Sequence, residues 1–234
     1  MNRPSTHCSE PTPRFTAPLD CFTWADLAQA GGKGANLGEL VRAGFPVPPG
    51  FAVTTAAYER FAVAGDLQAV IARSLAEQPG SGAPIRDAFQ AAPVPPEVTG
   101  EILAAYRQLG DGPVAVRSSA TAEDLSEAAF AGQQDTYLNV VGAEALVAAV
   151  RRCWASLWTD RAIAYRARQG IDPAGVRLAV VVQRMAPAEY AGVMFTANAL
   201  TGARDEILID ASPGLGEAVV SGLVTPDHYV LRRR

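Results

Sequence analysis

Two separated stretches of the sequence carry residue types that bind phosphate. The first is GGKGAN, in which Lys33 stands among glycines at the start of a predicted helix. The second follows the apolar run PVAV and begins with Arg117, Ser118, Ser119 and, two residues later, Thr121. Backbone N–H groups at a helix N-terminus, an ammonium group and a bidentate guanidinium all favour an anion. We therefore predict a phosphate site, although a helix-entry turn without a ligand explains GGKGAN equally well.

Lys33 is the only lysine among 20 basic residues. A flexible stem that ends in a compact ammonium suits a phosphate that a planar arginine fork would not reach. The two standard phosphate motifs do not fit. A Walker A loop needs glycine in place of Leu27 and a hydroxyl residue in place of Gly34, and the dinucleotide fingerprint needs glycine or alanine in place of Leu37.

The segment AFAGQQDTYLNV contains Gly132 among small and amide residues and then alternates from Thr136 onward. This pattern predicts a loop tip that runs into a strand, as in a lid over a nucleotide. A plain hairpin is the alternative interpretation. Glu123 and Asp124 are interpreted as carboxylates in the first turn of a helix, with a structural role.

A nucleobase site is predicted where the strand VVVQ ends. Gln183, Arg184 and Met185 are candidates to line it, with a backbone edge that reads the base and an apolar side chain that covers its face. Met185 fits a core position equally well. The second glycine loop, PGLGEAVVSG, carries Glu217 at the start of a small helix, and its chemistry is not evident from the sequence.

The composition excludes several classes of protein. The chain has 234 residues, 49% of them hydrophobic, and a net charge of -4, which offers no general basic field for nucleic acid or anionic lipid. No segment approaches the length of a membrane span and no signal peptide is evident, so we expect a cytoplasmic protein. The three cysteines are widely spaced and are expected to be free thiols. No metal site is predicted.

The order of the predicted elements indicates an α+β fold. Residues 1–18, with four prolines, are expected to form a disordered arm. Residues 19–234 are expected to form one nucleotide-binding domain, helix-rich over 19–112 and strand-rich over 113–234. Within it we predict one long helix over 143–169. Four strands are predicted after that helix: VRLAVVVQRM, YAGVMFT, DEILIDAS and HYVLRR.

Taken together, these motifs resemble the N-terminal ATP-binding domain of phosphoenolpyruvate synthase and rifampicin phosphotransferase. The resemblance rests on GGKGANLGEL at 31–40, PVPPGF at 46–51, VAVRSSATAEDL at 114–125 and FAGQQDTYLNV at 130–140. It continues through CWASLWTDRAIAYR, LAVVVQRM, AGVMFT and GLGEAVVSG, and covers nearly all of the chain from about residue 22.

The resemblance implies an ATP-grasp fold, in which ATP lies between two α+β lobes. It implies that Lys33 and Arg117 bind phosphate, that Gly132 and Thr136 belong to the loop over the phosphates, and that Gln183 contacts the adenine side. In such enzymes the ATP domain pyrophosphorylates a histidine on a separate swivelling domain. The resulting phosphohistidine then phosphorylates pyruvate or the antibiotic.

The resemblance also implies what the chain lacks. Members of the family continue into a segment whose glutamate and glutamine bind Mg²⁺, whereas this sequence stops at LRRR. We therefore expect an ATP-grasp domain that is incomplete at its C-terminal end, binds ATP, contains no catalytic residue or magnesium ligand, and is inactive alone. A separate chain carrying the missing segment, the phosphohistidine domain and the acceptor domain is the expected partner. The alternative is a noncatalytic nucleotide-binding or interaction protein derived from that domain.

Overall fold

A computed structural model describes residues 15–121 and 136–232 of the chain. The predictions for Gly132, Glu123 and Asp124 lie outside these residues. The chain divides after Met185 into two compact units, and each is described by itself.

The described part of the first unit contains seven α-helices and five strands. The helices are α1 Leu27–Arg42, α2 Thr55–Ala64, α3 Leu67–Glu77, α4 Ala83–Ala91, α5 Pro96–Gln108, α6 Ala143–Ser156 and α7 Asp160–Gln169. The strands are β1 Thr16–Pro18, β2 Gly50–Val53, β3 Val114–Ala120, β4 Thr136–Val140 and β5 Leu178–Arg184.

The five strands form one antiparallel sheet in the order β1-β2-β5-β3-β4. Its central strand, β5, reads LAVVVQR, and the first six of these residues are buried. A strand covered on both faces needs such a continuous apolar run, because successive side chains point to opposite faces. Val180 and Val182 belong to the large core shared with α2 to α6, whereas Val181 packs on the opposite face with Ala30 of α1.

Large aromatic side chains fill the core between the sheet and the helices. Phe61 stacks on Trp154 with ring centroids 4.8 Å apart, and Phe89 meets Phe61 edge to face at 5.7 Å. Tyr58 contacts both Phe89 and Trp154, and Trp158 contacts Phe89. Such aromatic pairs stabilise a core by about 0.5–1.5 kcal/mol each beyond the area that they bury. This core covers the face of the sheet on which α2 to α6 pack, and α1 packs on the opposite face.

The long helix predicted over 143–169 is wrong, because the structure breaks it after Ser156. Thr159 begins α7 as its N-cap, with its Oγ1 accepting a hydrogen bond from the Ala162 N–H at 3.3 Å. The carbonyl oxygen of Trp158 accepts from Arg86 at 2.8 Å instead of from a helical neighbour. The β-branched Thr159 and its side-chain oxygen favour this new start over a continuous helix.

Two expectations for the N-terminal part also need correction. Residues 16–18, assigned to a disordered arm, form the edge strand β1, whose partners on β2 run from Val53 to Phe51. Cys21 is disulfide-bonded, so the expectation of three free thiols is wrong for this residue, whereas Cys153 is free and buried.

The second unit contains a three-stranded antiparallel sheet in the order β6-β7-β8. Its elements are β6 Tyr190–Phe195, β7 Glu206–Pro213, the single-turn helix α8 Glu217–Val220 and β8 Asp227–Arg232. Asn198 organises the turn after β6, because its Oδ1 accepts from the N–H groups of Leu200 and Thr201. The four strands predicted after the helical region are confirmed, although β5 belongs to the five-stranded sheet and the other three to this one.

The observed mixture of helices and antiparallel sheets is consistent with the predicted α+β class. Among the described residues, no helix combines the length and the apolar character that crossing a membrane would require.

Candidate functional site

The glycine-rich segment GGKGAN lies inside α1 and kinks it. Gly31 has φ 66° and ψ 174°, a conformation that only glycine adopts readily, and it separates two helical segments. A Cβ atom on Gly31 would lie 2.1 Å from the carbonyl oxygen of Ser119 on β3. Glycine is therefore required here both by backbone conformation and by the close approach of β3.

Ser119 closes this kink from the neighbouring strand. Its buried hydroxyl donates to the Ala30 carbonyl oxygen at 2.7 Å and accepts from the Gly34 N–H at 3.1 Å. The hydroxyl thus satisfies a carbonyl at the end of the first helical segment and caps the start of the second, although Ser119 lies 85 residues away from Gly34 in sequence. The prediction that Ser119 donates to a phosphate is wrong, since its donor proton is already engaged. Ser118 is fully buried as well.

Arg117 lies two residues before Ser119 and on the same face of the sheet. Its Nη2 donates to Oε1 of Gln183 at 2.6 Å, a residue on the neighbouring strand β5. Gln183 in turn donates from Nε2 to the Pro48 carbonyl oxygen at 2.9 Å. The amide of Gln183 therefore holds the guanidinium in place and links it to the PVPPGF segment.

The environment of Arg117 is poor in compensating charge. Burial lowers the pKa of its guanidinium, and no charged group among the described residues contributes to that shift. Its Nε is buried without a hydrogen-bond partner among the residues that the structure describes. Arginine keeps its proton even when it is partly buried. A fixed positive charge with an unsatisfied donor is a suitable ligand for an oxyanion.

Thr136 and Lys33 complete the described part of the predicted site. Thr136 begins β4 directly opposite Arg117, so the two side chains share one face of the sheet, and Thr136 is exposed. Lys33 is half-buried in the first turn after the Gly31 kink. Since α1 packs against β3 and β5 on this same face, Lys33, Arg117, Thr136 and Gln183 all lie on one side of the five-stranded sheet. Gly132 lies outside the described residues.

The backbone edge proposed to read a base is already paired within the protein. The N–H of Arg184 donates to the Pro49 carbonyl oxygen at 2.9 Å, and that of Met185 donates to Pro113 at 3.0 Å. These two N–H groups are therefore not available to a nucleobase, and the nucleobase site at the end of β5 stays a prediction.

The sequence reasoning missed Pro48 and the structural role of Ser119. Both act through contacts with residues more than 80 positions away. The proline-rich segment gave a weak signal of a fixed backbone, and nothing local indicated that a strand serine would cap a distant helix.

The described residues offer no group of three or more histidine, cysteine, aspartate or glutamate side chains that could hold a metal ion. No step of the proposed function uses a metal ion. A nucleotide phosphate fits the described residues, because the buried Nε of Arg117 has no hydrogen-bond partner among them.

Comparison with known proteins agrees with this geometry. Over residues 27–234 the sequence matches the family described as pyruvate phosphate dikinase, AMP/ATP-binding domain. The chain belongs to this family, and the resemblance inferred from its motifs is confirmed.

Three relatives illustrate the similarity. A probable phosphoenolpyruvate synthase of Pyrococcus abyssi is 46% identical, over 94% of this chain and 32% of the relative. A probable phosphoenolpyruvate synthase of Methanothermobacter thermautotrophicus is 52% identical, over 87% of this chain and 32% of the relative. Rifampicin phosphotransferase of a Streptomyces species is 49% identical, over 94% of this chain and 26% of the relative. The chain therefore spans about a third or less of the length of these curated relatives.

Proposed function

We propose that this chain binds ATP and acts as the nucleotide-binding module of a dikinase of the phosphoenolpyruvate synthase or rifampicin phosphotransferase type. The observation that carries the proposal is Arg117, a half-buried guanidinium that is held by a neutral amide and whose buried Nε has no hydrogen-bond partner among the described residues. Membership of the AMP/ATP-binding domain family supports the same ligand.

The phosphates are proposed to bind on the side of the five-stranded sheet on which α1 packs. Arg117 supplies a positioned fork and Lys33 a second positive charge, while Thr136 lies across from Arg117 on β4. Thr136 and Gly132, which precedes β4 in the sequence, are proposed to cover the phosphates. Gln183 positions Arg117 through a hydrogen bond. A contact between Gln183 and adenine would require the Gln183 amide to replace its hydrogen bond with Arg117 or with Pro48 by one to the base.

The proposed reaction is transfer of phosphoryl groups from ATP to a carrier histidine. Phosphoryl transfer depends mainly on the positioning of the phosphates and on neutralising the charge that develops on them. In this chain Arg117 and Lys33 would perform that task. An ATP-grasp architecture, a histidine-bearing partner domain or chain, an acceptor domain and a lack of activity of this chain alone are further parts of the proposal. The sequence similarity to much longer relatives supports them.

Isothermal titration of ATP into the 234-residue chain tests the nucleotide-binding proposal. Loss of a charge-assisted hydrogen bond typically costs about 1.5–3 kcal/mol, so Arg117→Gln is expected to weaken ATP binding by about tenfold to a hundredfold. Arg73→Gln is the matched control, because Arg73 is exposed on α3, which packs on the side of the sheet opposite to α1. Circular dichroism confirms that both variants are folded.

Equal ATP affinities for Arg117→Gln and Arg73→Gln would contradict the assignment of the site. Absence of any heat with the unchanged chain would contradict autonomous nucleotide binding.

A further inference from the structure

A cavity lies on the face of β3 opposite to Arg117. It has a volume of about 140 Å³. Ser118 and Ala120 form part of its wall, and Ala120 pairs with Leu178 across the sheet. Since successive residues of a strand point to opposite faces, the sheet itself separates this cavity from Arg117. Ser118 and Thr121, which the sequence analysis grouped with Arg117, line this cavity and therefore lie on the other side of the sheet from the Arg117 guanidinium.

Most of the cavity wall is apolar. The apolar lining comprises Ala120, Leu157, Ala162, Ile171, Val176 and Leu178. An apolar cavity of about 150 Å³ admits a benzene ring in another protein. The space on this side of β3 therefore matches an apolar body of about six carbon atoms.

A buried cation stands at this cavity. Arg166 of α7 lines it and is only 6% exposed. Its Nη2 donates to the Leu157 carbonyl oxygen at 2.5 Å, and its guanidinium carbon lies 5.0 Å from the centre of the Trp158 ring. Burial lowers the pKa of Arg166, which shows that its charge is costly to maintain here. No carboxylate of the described residues forms an ion pair with it.

The other polar groups at the cavity complement this charge. Arg177, at the rim, already pairs with the carboxylate of Glu59 and is neutralised. Thr159 accepts a hydrogen bond from the Ala162 N–H, which leaves its hydroxyl proton to donate. The N-terminal turn of α7 lies at the same wall and adds the positive end of its dipole. Among the described residues at the cavity, Arg166 is thus the cation that has no carboxylate partner.

We propose that this cavity binds a small monocarboxylate whose apolar body contacts the aliphatic wall and whose carboxylate pairs with Arg166. A carboxylate fits the planar guanidinium and needs few other donors. Inorganic phosphate fits less well, because its remaining oxygens would lie against apolar side chains without partners. The proposal is independent of ATP binding, because it uses the opposite face of β3.

Calorimetric titration of the 234-residue chain with benzoate and butyrate tests this site. Benzyl alcohol is the neutral counterpart of benzoate, and inorganic phosphate is the purely polar anion. We expect benzoate to bind saturably with one site, benzyl alcohol to bind at least about tenfold more weakly, and phosphate not to displace benzoate. Saturating ATP should leave the benzoate affinity unchanged.

Two substitutions on the same helix provide the matched variants. Ala162→Leu fills the cavity without removing Arg166 and is expected to abolish benzoate binding. Ala167→Leu adds the same side chain at an exposed position of α7 and should retain it.

Three results would overturn the proposal. These are no saturable binding of either carboxylate to the unchanged chain, unaltered benzoate binding by Ala162→Leu, and displacement of benzoate by ATP or phosphate. A failure of ATP to bind would not affect the titration with benzoate, so the two proposals fail separately.

Discussion

Replacement of Gly31 by alanine tests whether the kink in α1 packs directly against the backbone of β3. Gly31 has φ 66° and ψ 174°, and a Cβ atom there would stand 2.1 Å from the backbone oxygen of Ser119. Gly44 also has a positive φ, 83°, but a Cβ atom there would meet nothing within 4 Å. Both substitutions therefore place alanine at a positive φ, and only Gly31→Ala adds a collision with backbone.

The two variants differ in the size of the expected loss. Alanine at the positive φ of Gly44 costs about 1–2 kcal/mol of unfolding free energy. At Gly31 the backbone region is nearly restricted to glycine and costs about 1–3 kcal/mol, to which the collision adds about 1–3 kcal/mol. From the middle of these ranges we expect Gly31→Ala to be destabilised by about 2–3 kcal/mol more than Gly44→Ala.

Urea denaturation followed by tryptophan fluorescence measures this difference. All three tryptophans, Trp24, Trp154 and Trp158, lie in the first unit, so their emission reports on the unit that contains α1. With a slope of about 2 kcal/mol per molar urea, the two midpoints should differ by about 1 M. Equal midpoints for the two variants would refute the packing of the kink against β3.

Two further predictions concern stability. Ser119→Ala leaves the Ala30 carbonyl and the Gly34 N–H buried without their partner, and should lower the unfolding free energy by about 2–4 kcal/mol in urea denaturation. Ser156→Ala removes a hydroxyl that donates only to a carbonyl of its own helix and should cost less than about 1 kcal/mol, so equal losses would contradict the capping role. Burial raises the pKa of Tyr58 to about 12, so the unfolded chain ionises this phenol first and stability falls as the pH rises from about 10 to about 12. Between these pH values the unfolding free energy of Tyr58→Phe should fall by about 2–3 kcal/mol less than that of the unchanged chain. Identical dependence of the unfolding free energy on pH in the two proteins would contradict the burial effect.

Local sequence patterns were sufficient to predict elements whose own residue types require a particular conformation or burial. The run VVVQ predicts a buried strand because every residue must be apolar when both faces are covered, and β5 is indeed central. The glycines of GGKGAN predict a turn at a helix start, and Gly31 provides it. Lys33 and Arg117, the two predicted phosphate ligands, lie on one side of the sheet together with Gln183, which was predicted as an adenine contact.

Contacts between distant residues could not be predicted in this way. Ser119 looked like a phosphate donor because its sequence neighbours are polar, yet its position on β3 places it against Ala30 and Gly34. The break before α7 depends on the capping hydrogen bond of Thr159 and on the hydrogen bond from Arg86 to the Trp158 carbonyl oxygen. Neither interaction is visible in the apolar periodicity of the segment. These features arise from tertiary packing, which single-sequence periodicity does not record.

The comparison of ATP with adenosine tests most directly the claim that Arg117 binds a nucleotide phosphate. Both ligands are titrated calorimetrically into the unchanged chain and into Arg117→Gln. We predict that the substitution weakens ATP binding by about tenfold to a hundredfold and changes adenosine binding by less than about twofold, because only ATP carries the anion. Equal losses for ATP and adenosine, or no loss for either, would contradict the account.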